Sequence, residues 1–170
     1  RDSNVSCWFG SYAARTPGCE SAQNATWFML RDAPQPDCNL RILRECGGSS
    51  WIEGDYFHGA PELIAETCHS STSYDLHQKK DLYAAAGVTE YVTVLLRERE
   101  VRWHRLVGRE YQTLLMPPDG VLRSVVFPGL WLDGAALLAG NMLQVLEVLD
   151  HGLKSPDHAE FVARLAKSRS

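Results

Sequence analysis

Two hydrophobic periods organise this chain. Between Asn4 and Ala14 the residues Val5, Trp8, Phe9 and Tyr12 recur three and four apart, the spacing of one helix face, and Pro17-Gly18 supplies the stop. Residues 19–30 are short and β-prone, and 32–36 read as a loop through Pro34 and Pro36. Residues 38–43 predict a strand with Asp37 at its mouth. The polar, Gly- and Ser-containing stretch 47–59 predicts a mobile loop. Leu63-Ile64-Ala65 is a continuous apolar run typical of a buried strand, and Glu66 follows it directly. A helix is predicted over 74–86, capped by Ser73 or Asp75 and closed by Gly87. Four runs, 90–96, 101–107, 111–115 and 122–127, then read as strands between charged or Gly/Pro turns. Two or three helices are predicted near 133–152 and 156–167. Helix, strands, helix, strands, helices: this order predicts an α/β (α+β) domain with a mixed sheet.

Bulk properties narrow the choice. With 170 residues, 45% of them hydrophobic and 22% charged, the chain fits one globular domain with a real core. No apolar run is long enough to span a membrane, and the first residues lack the layout of a signal peptide. No initiator Met is present, so the sequence reads as processed or as part of a longer chain. Five cysteines without a CxxC spacing argue against a thiolate zinc site and for a reduced, cytoplasmic protein. The formal net charge of −4 weighs mildly against nucleic acid, although arginines concentrate at 41–44 and 97–105. Neither a Gly-x-Ser-x-Gly elbow nor a Gly-rich phosphate loop occurs. His58, His69 and His77 share no metal-binding period, His104 is a strand-face residue beside Arg102, and Trp103 and Trp131 read as core or interface residues.

Three residues could do chemistry together. Glu66 ends an apolar strand, where an ionised carboxylate is costly without a partner. Asp37 stands where the chain enters the sheet. If the two strands are neighbours, their carboxylates converge and repel. A hard divalent cation relieves that repulsion, and magnesium commonly takes one or two carboxylates while keeping waters. Leu76, Leu82, Tyr83 and Ala86 define the apolar face of the predicted helix. At about 100° per residue Lys79 projects near the middle of that face, and Lys80 roughly 90° away. A lysine there needs negative charge, and Glu66 is one loop upstream. Singly, each residue has a plainer reading: Glu66 as a strand end reaching solvent, Asp37 as a turn former, Lys79 as a snorkelling side chain.

Residues 61–95 resemble the Uma-two family of restriction-endonuclease-like proteins, within the PD-(D/E)xK nuclease superfamily. The features carrying the resemblance are Pro36-Asp37, the strand ending in Glu66, Ser70-Ser71, Asp75-Leu76 with Lys79, Tyr83, Gly87-Val88 and Glu90-Tyr91. Residues 125–138 are similar to the family's closing strand, Pro-Gly step and short helix. Cys68 occupies the position where the simplest superfamily pattern has its lysine, and the family's lysine on the following helix maps onto Lys79. Glu62 stands where an aspartate is common.

The resemblance implies a restriction-endonuclease-like mixed β-sheet flanked by helices over 1–140, with 141–170 a C-terminal helical extension packed on the same domain. It implies a magnesium-dependent endonuclease hydrolysing phosphodiester bonds of DNA. Asp37, Glu66 and a backbone carbonyl near Thr67 would hold magnesium, with manganese as a substitute, and Lys79 would assist the attacking water. Nucleic acid, most simply DNA, is the expected partner, and a homodimer is expected because cutting two strands needs two sites. Two other readings stay open. One is a nuclease-fold nucleic-acid-binding or regulatory module without catalysis. The other is an interaction protein in which the three residues form a satisfied buried ion network.

Overall fold

A computed structural model describes residues 2–72 and 74–169. The first helix, α1 (Asp2–Ala13), precedes β1 (Cys19–Gln23), β2 (Trp27–Phe28) and β3 (Cys38–Ile42). Next come β4 (Trp51–Glu53), β5 (Tyr56–His58), β6 (Leu63–Cys68) and α2 (Tyr74–Ala86). The strands β7 (Glu90–Leu95), β8 (Glu100–Val107), β9 (Glu110–Thr113), β10 (Val121–Arg123) and β11 (Trp131–Asp133) lead into the closing helices. These are α3 (Gly134–Ala139), α4 (Met142–Leu153) and α5 (Pro156–Ser168). The fold is mixed α+β, as the sequence pattern predicts.

The main sheet has six strands in the order β1-β3-β6-β7-β8-β9. β6 and β7 run parallel, which requires a crossover, and α2 is that crossover. The other four pairings are antiparallel. Because side chains alternate along a strand, the sheet presents two chemically different faces. Leu40, Leu63, Ala65, Val92, Val94 and Trp103 meet Trp8, Phe9 and Tyr12 of α1 and Val145, Leu149, Phe161 and Leu165 of α4 and α5 in one core. Ile64, Tyr91 and Leu95 on the opposite face pack with Leu76 and Tyr83 of α2 and with Trp27 and Met29. The second face is the one toward which Glu66 points.

The closing helices dock through glycine. A Cβ built on Gly152 of α4 would lie 2.2 Å from the Gly129 carbonyl oxygen, and one on Gly129 would lie 2.8 Å from the Gly152 carbonyl oxygen. Gly129 also has φ of 87°, which non-glycine residues rarely adopt.

Two expectations need correction and a third gains detail. Residues 47–59 are not simply a loop: β4 and β5 form a hairpin that pairs with β2 into a separate three-stranded sheet. Trp51, Ile52, Tyr56 and Phe57 are β-prone and the turn at Gly54 takes φ of 61°, so hairpin chemistry prevails over the polar composition. The run 122–127 holds strand only to Arg123, after which the backbone turns and the Ser124 hydroxyl accepts the Phe127 amide hydrogen. The stretch 19–30 is two strands, β1 and β2, in different sheets. Ser73 lies outside the described residues, as does the side chain of Asp75. No helix among the described residues is long and apolar enough to cross a membrane.

Candidate active site

Strand register brings the sequence candidates together. β3 and β6 pair with Cys38 opposite Ala65, so one further step sets Asp37 opposite Glu66. Formal pairing stops there, and the Thr67 amide donates instead to Asp37 Oδ2 at 2.7 Å. Asp37 is thus fixed by the neighbouring strand at the point where the two strands part.

Glu66 is 2% exposed. Both its oxygens have partners: Tyr83 Oη donates to Oε1 at 2.7 Å and Lys79 Nζ to Oε2 at 3.0 Å. Lys79 and Tyr83 are four residues apart on α2 and therefore on one helix face. Burial raises the Glu66 carboxyl to about 7; the Tyr83 hydrogen bond and Lys79 pull it down, and the charge of Asp37 pushes it up again. The register and the Thr67 amide bond make the two carboxylates neighbours across the strands. Burial and the adjacent Glu66 together raise the Tyr83 hydroxyl far above its ordinary value, so it stays a proton donor.

The Lys79 side chain is 25% exposed. It lines a cleft of about 440 Å³ with Asp32, Ala33, Pro34, Gln78 and Leu82. The inward lysine of the sequence analysis therefore sits between a buried carboxylate and an open groove. Among the described residues no group of three or more His, Cys, Asp and Glu side chains is placed to hold a metal ion. The oxygen groups that a cation here would meet are the two carboxylates and the backbone around Thr67. Two like-charged, hard oxygen groups on adjoining strands suit a small dication that keeps waters in its shell.

The remaining candidates lie elsewhere. His58 stacks between Phe28 and Trp51 in the small sheet. His104 is buried, bonded to Thr113 Oγ1 at 2.9 Å and held down to about 4 by burial and by Lys80 and Arg102. Glu62 accepts the amide hydrogens of Ile42 (2.8 Å) and Ser49 (3.4 Å), tying the β3–β4 connection to β6. Buried Glu90 accepts from Ser124 Oγ at 2.5 Å and the Val125 amide at 2.9 Å, anchoring the segment after β10. Tyr83 belongs to the site, although the sequence reading places it on the apolar face of the helix and among the features of the family resemblance without giving it a role. Its signal was the four-residue interval from Lys79, because a phenol on that face reaches the same carboxylate.

Comparison with known proteins bears on family and fold. The model of the Uma2 family, described as "Putative restriction endonuclease", matches residues 2–136. Among solved structures, the chain is similar to a putative nuclease belonging to DUF820 from Anabaena variabilis, at 14% sequence identity and a TM-score of 0.58. The match covers 87% of this chain and 79% of that one, and at this identity it speaks for the fold. No curated protein matches the sequence.

Proposed function

The chain belongs to the Uma2 family of restriction-endonuclease-like proteins, and from that premise we propose that it is a magnesium-dependent endonuclease acting on DNA, with Asp37, Glu66 and Lys79 as its catalytic residues. The observation that carries the reading is the Asp37–Glu66–Lys79 cluster itself, built where β3 and β6 diverge, with Lys79 in the wall of the cleft.

Asp37 and Glu66 would hold the magnesium. The Thr67 carbonyl leaves the extended strand on the same side as its amide, which reaches Asp37, and this supports a third oxygen ligand. Bound there, magnesium supplies Lewis-acid charge stabilisation and a more acidic water, and manganese would substitute. The chain's own groups have separate tasks. Lys79, between Glu66 and the cleft, orients the attacking water or meets negative charge developing on the phosphate. Tyr83 holds Glu66 Oε1, fixing the carboxylate's rotamer against the reaction centre. Burial of Glu66 keeps this electrostatics in a medium where each interaction counts for more than in water.

The test is cleavage of plasmid, linear and single-stranded DNA, and of RNA, with magnesium or manganese. Asp37→Asn, Glu66→Gln and Lys79→Ala should each lower the DNA cleavage rate at least about 100-fold while leaving the far-UV circular dichroism unchanged. Undiminished cleavage by all three would reject the assignment. Cutting both strands of a duplex would require two sites, so a homodimer is part of the proposal. The net charge of −4 favours a second reading, a nucleic-acid-binding module without catalysis, which binding without cleavage in either metal would select.

A further inference from the structure

The row of the sheet that carries Glu66 continues past α2. Register sets Thr93 of β7 beside Glu66, and Arg102 of β8 opposite Thr93. One row away, Tyr91 lies opposite His104. Asp37, Glu66, Thr93 and Arg102 thus form a polar line across four strands, negative at one end and positive at the other. Lys79 of α2 serves the negative end. Lys80, roughly 90° further round the helix, serves the positive end.

Between that end and α2 lies a recess of about 60 Å³ whose walls include His77, Lys80, Tyr91, Thr93, Arg102 and His104. Three observations give it a chemical character. Tyr91 has no exposed surface, and its hydroxyl has no hydrogen-bond partner among the described residues. Lys80 and Arg102 both line the recess beside His104, whose pKa burial and these two cations lower while Glu100 opposes them. Glu100 engages Arg102 Nη2 at 2.7 Å, but a guanidinium has further N–H groups to offer. Ser71, also in the wall, already gives its hydroxyl and amide hydrogens to Glu98. The donors left are an ammonium, part of a guanidinium, a phenol and an imidazole, converging from a helix and two strands. The volume is near that of two waters in the liquid, a fit for one tetrahedral oxyanion.

We propose that this recess is a phosphate subsite, in which Lys80, Arg102 and Tyr91 hold a backbone phosphate of the nucleic acid whose neighbouring phosphodiester lies at Glu66 and Lys79. It rests on the nuclease reading for its ligand, but its binding chemistry can be tested without cleavage.

The experiment titrates inorganic phosphate against the metal-free full chain by calorimetry at pH 7.5 and constant ionic strength, with acetate as control. Saturable phosphate binding is expected, with none for acetate. Arg102→Ala and Lys80→Ala should each weaken it about tenfold, because each removes a charge-assisted contact. Tyr91→Phe should weaken it less, and Lys79→Ala and Glu66→Gln should leave it in place. Phosphate should also displace a short single-stranded oligonucleotide. Absence of saturable phosphate binding overturns the proposal. So does binding that is lost in Lys79→Ala yet indifferent to Arg102 and Lys80, which puts the anion in the cleft. Binding that fails to compete with the oligonucleotide overturns the nucleic-acid assignment. If the phosphate results hold and no DNA is cut, the nuclease reading alone falls. Circular dichroism checks each variant, and Lys80→Ala, a helix-favouring change at a partly exposed position, keeps the test available should Tyr91→Phe not fold.

Discussion

In the metal-free chain Glu66 keeps its proton to about pH 7, because burial penalises the carboxylate more than Tyr83 and Lys79 favour it. The native state then binds more protons than the unfolded chain between about pH 4.5 and 7, so this residue's contribution to stability falls as pH rises through that window. A shift of this size corresponds to about 3 kcal/mol. Glu62 and Glu90, also raised by burial, act in the same direction. His104 acts oppositely: held down to about 4, it takes up protons on unfolding, and stability rises with pH from about 4 to 6.5. Glu66→Gln should therefore remove much of the loss between pH 4.5 and 7 and uncover the histidine's rise, measured by urea unfolding across pH. A wild-type-like profile in that variant would show Glu66 to be ionised in the native state. Tyr83→Phe removes the foremost interaction that lowers the Glu66 carboxyl, and its apparent pKa, followed by carboxyl-labelled NMR, should move upward. The residue scale was partly legible: an acid closing an apolar strand and a lysine on an apolar helix face each demanded a partner. Tyr83 and Arg102 were not, because their partners are set by register and helix phase, which only the folded sheet supplies.

At the scale of elements, the best-read segments were those where one local signal dominates. β6 is apolar from Leu63 to Ala65, and α2 ends at Ala86 with Gly87 at φ of 88° after it. The segment 47–59 reads as a loop because its pairing is non-local: β5 lies parallel to β2, a strand of two residues some thirty positions earlier. Such pairing leaves no periodic trace. The docking of α4 shows the same point at a single position. Gly152 is the penultimate residue of α4, still helical and so a place where alanine is intrinsically favoured, yet its Cβ would meet the Gly129 carbonyl at 2.2 Å and Trp131 Cγ at 2.8 Å. Gly152→Ala should thus destabilise the protein by about 2 kcal/mol or more despite improving helix propensity. Thermal unfolding should show a melting temperature lower by roughly 4–8 °C. An unchanged or raised value would mean that α4 can slide away from Gly129 at little cost.

For the molecule as a whole, net charge and site charge set the terms of binding. A chain carrying −4 overall repels a polyanion at long range, so any affinity must come from local cations and from neutralising the Asp37–Glu66 pair. A dication bound there would favour the ionised form of Glu66, which the metal-free fold resists below about pH 7. Magnesium should then stabilise the chain by mass action, by about 2.7 kcal/mol at a concentration one hundred times its dissociation constant. This stabilisation should grow as pH rises through 7, since at lower pH the metal must displace a proton. Differential scanning fluorimetry across magnesium concentration at pH 6 and pH 8 reads both effects, with Asp37→Asn and Glu66→Gln expected to abolish them. The protein-interaction reading predicts otherwise. If Lys79 and Tyr83 already satisfy the carboxylate in full, magnesium at either pH should leave the melting temperature where it was, and the same flat response in wild type and variants would remove the metal site from the account.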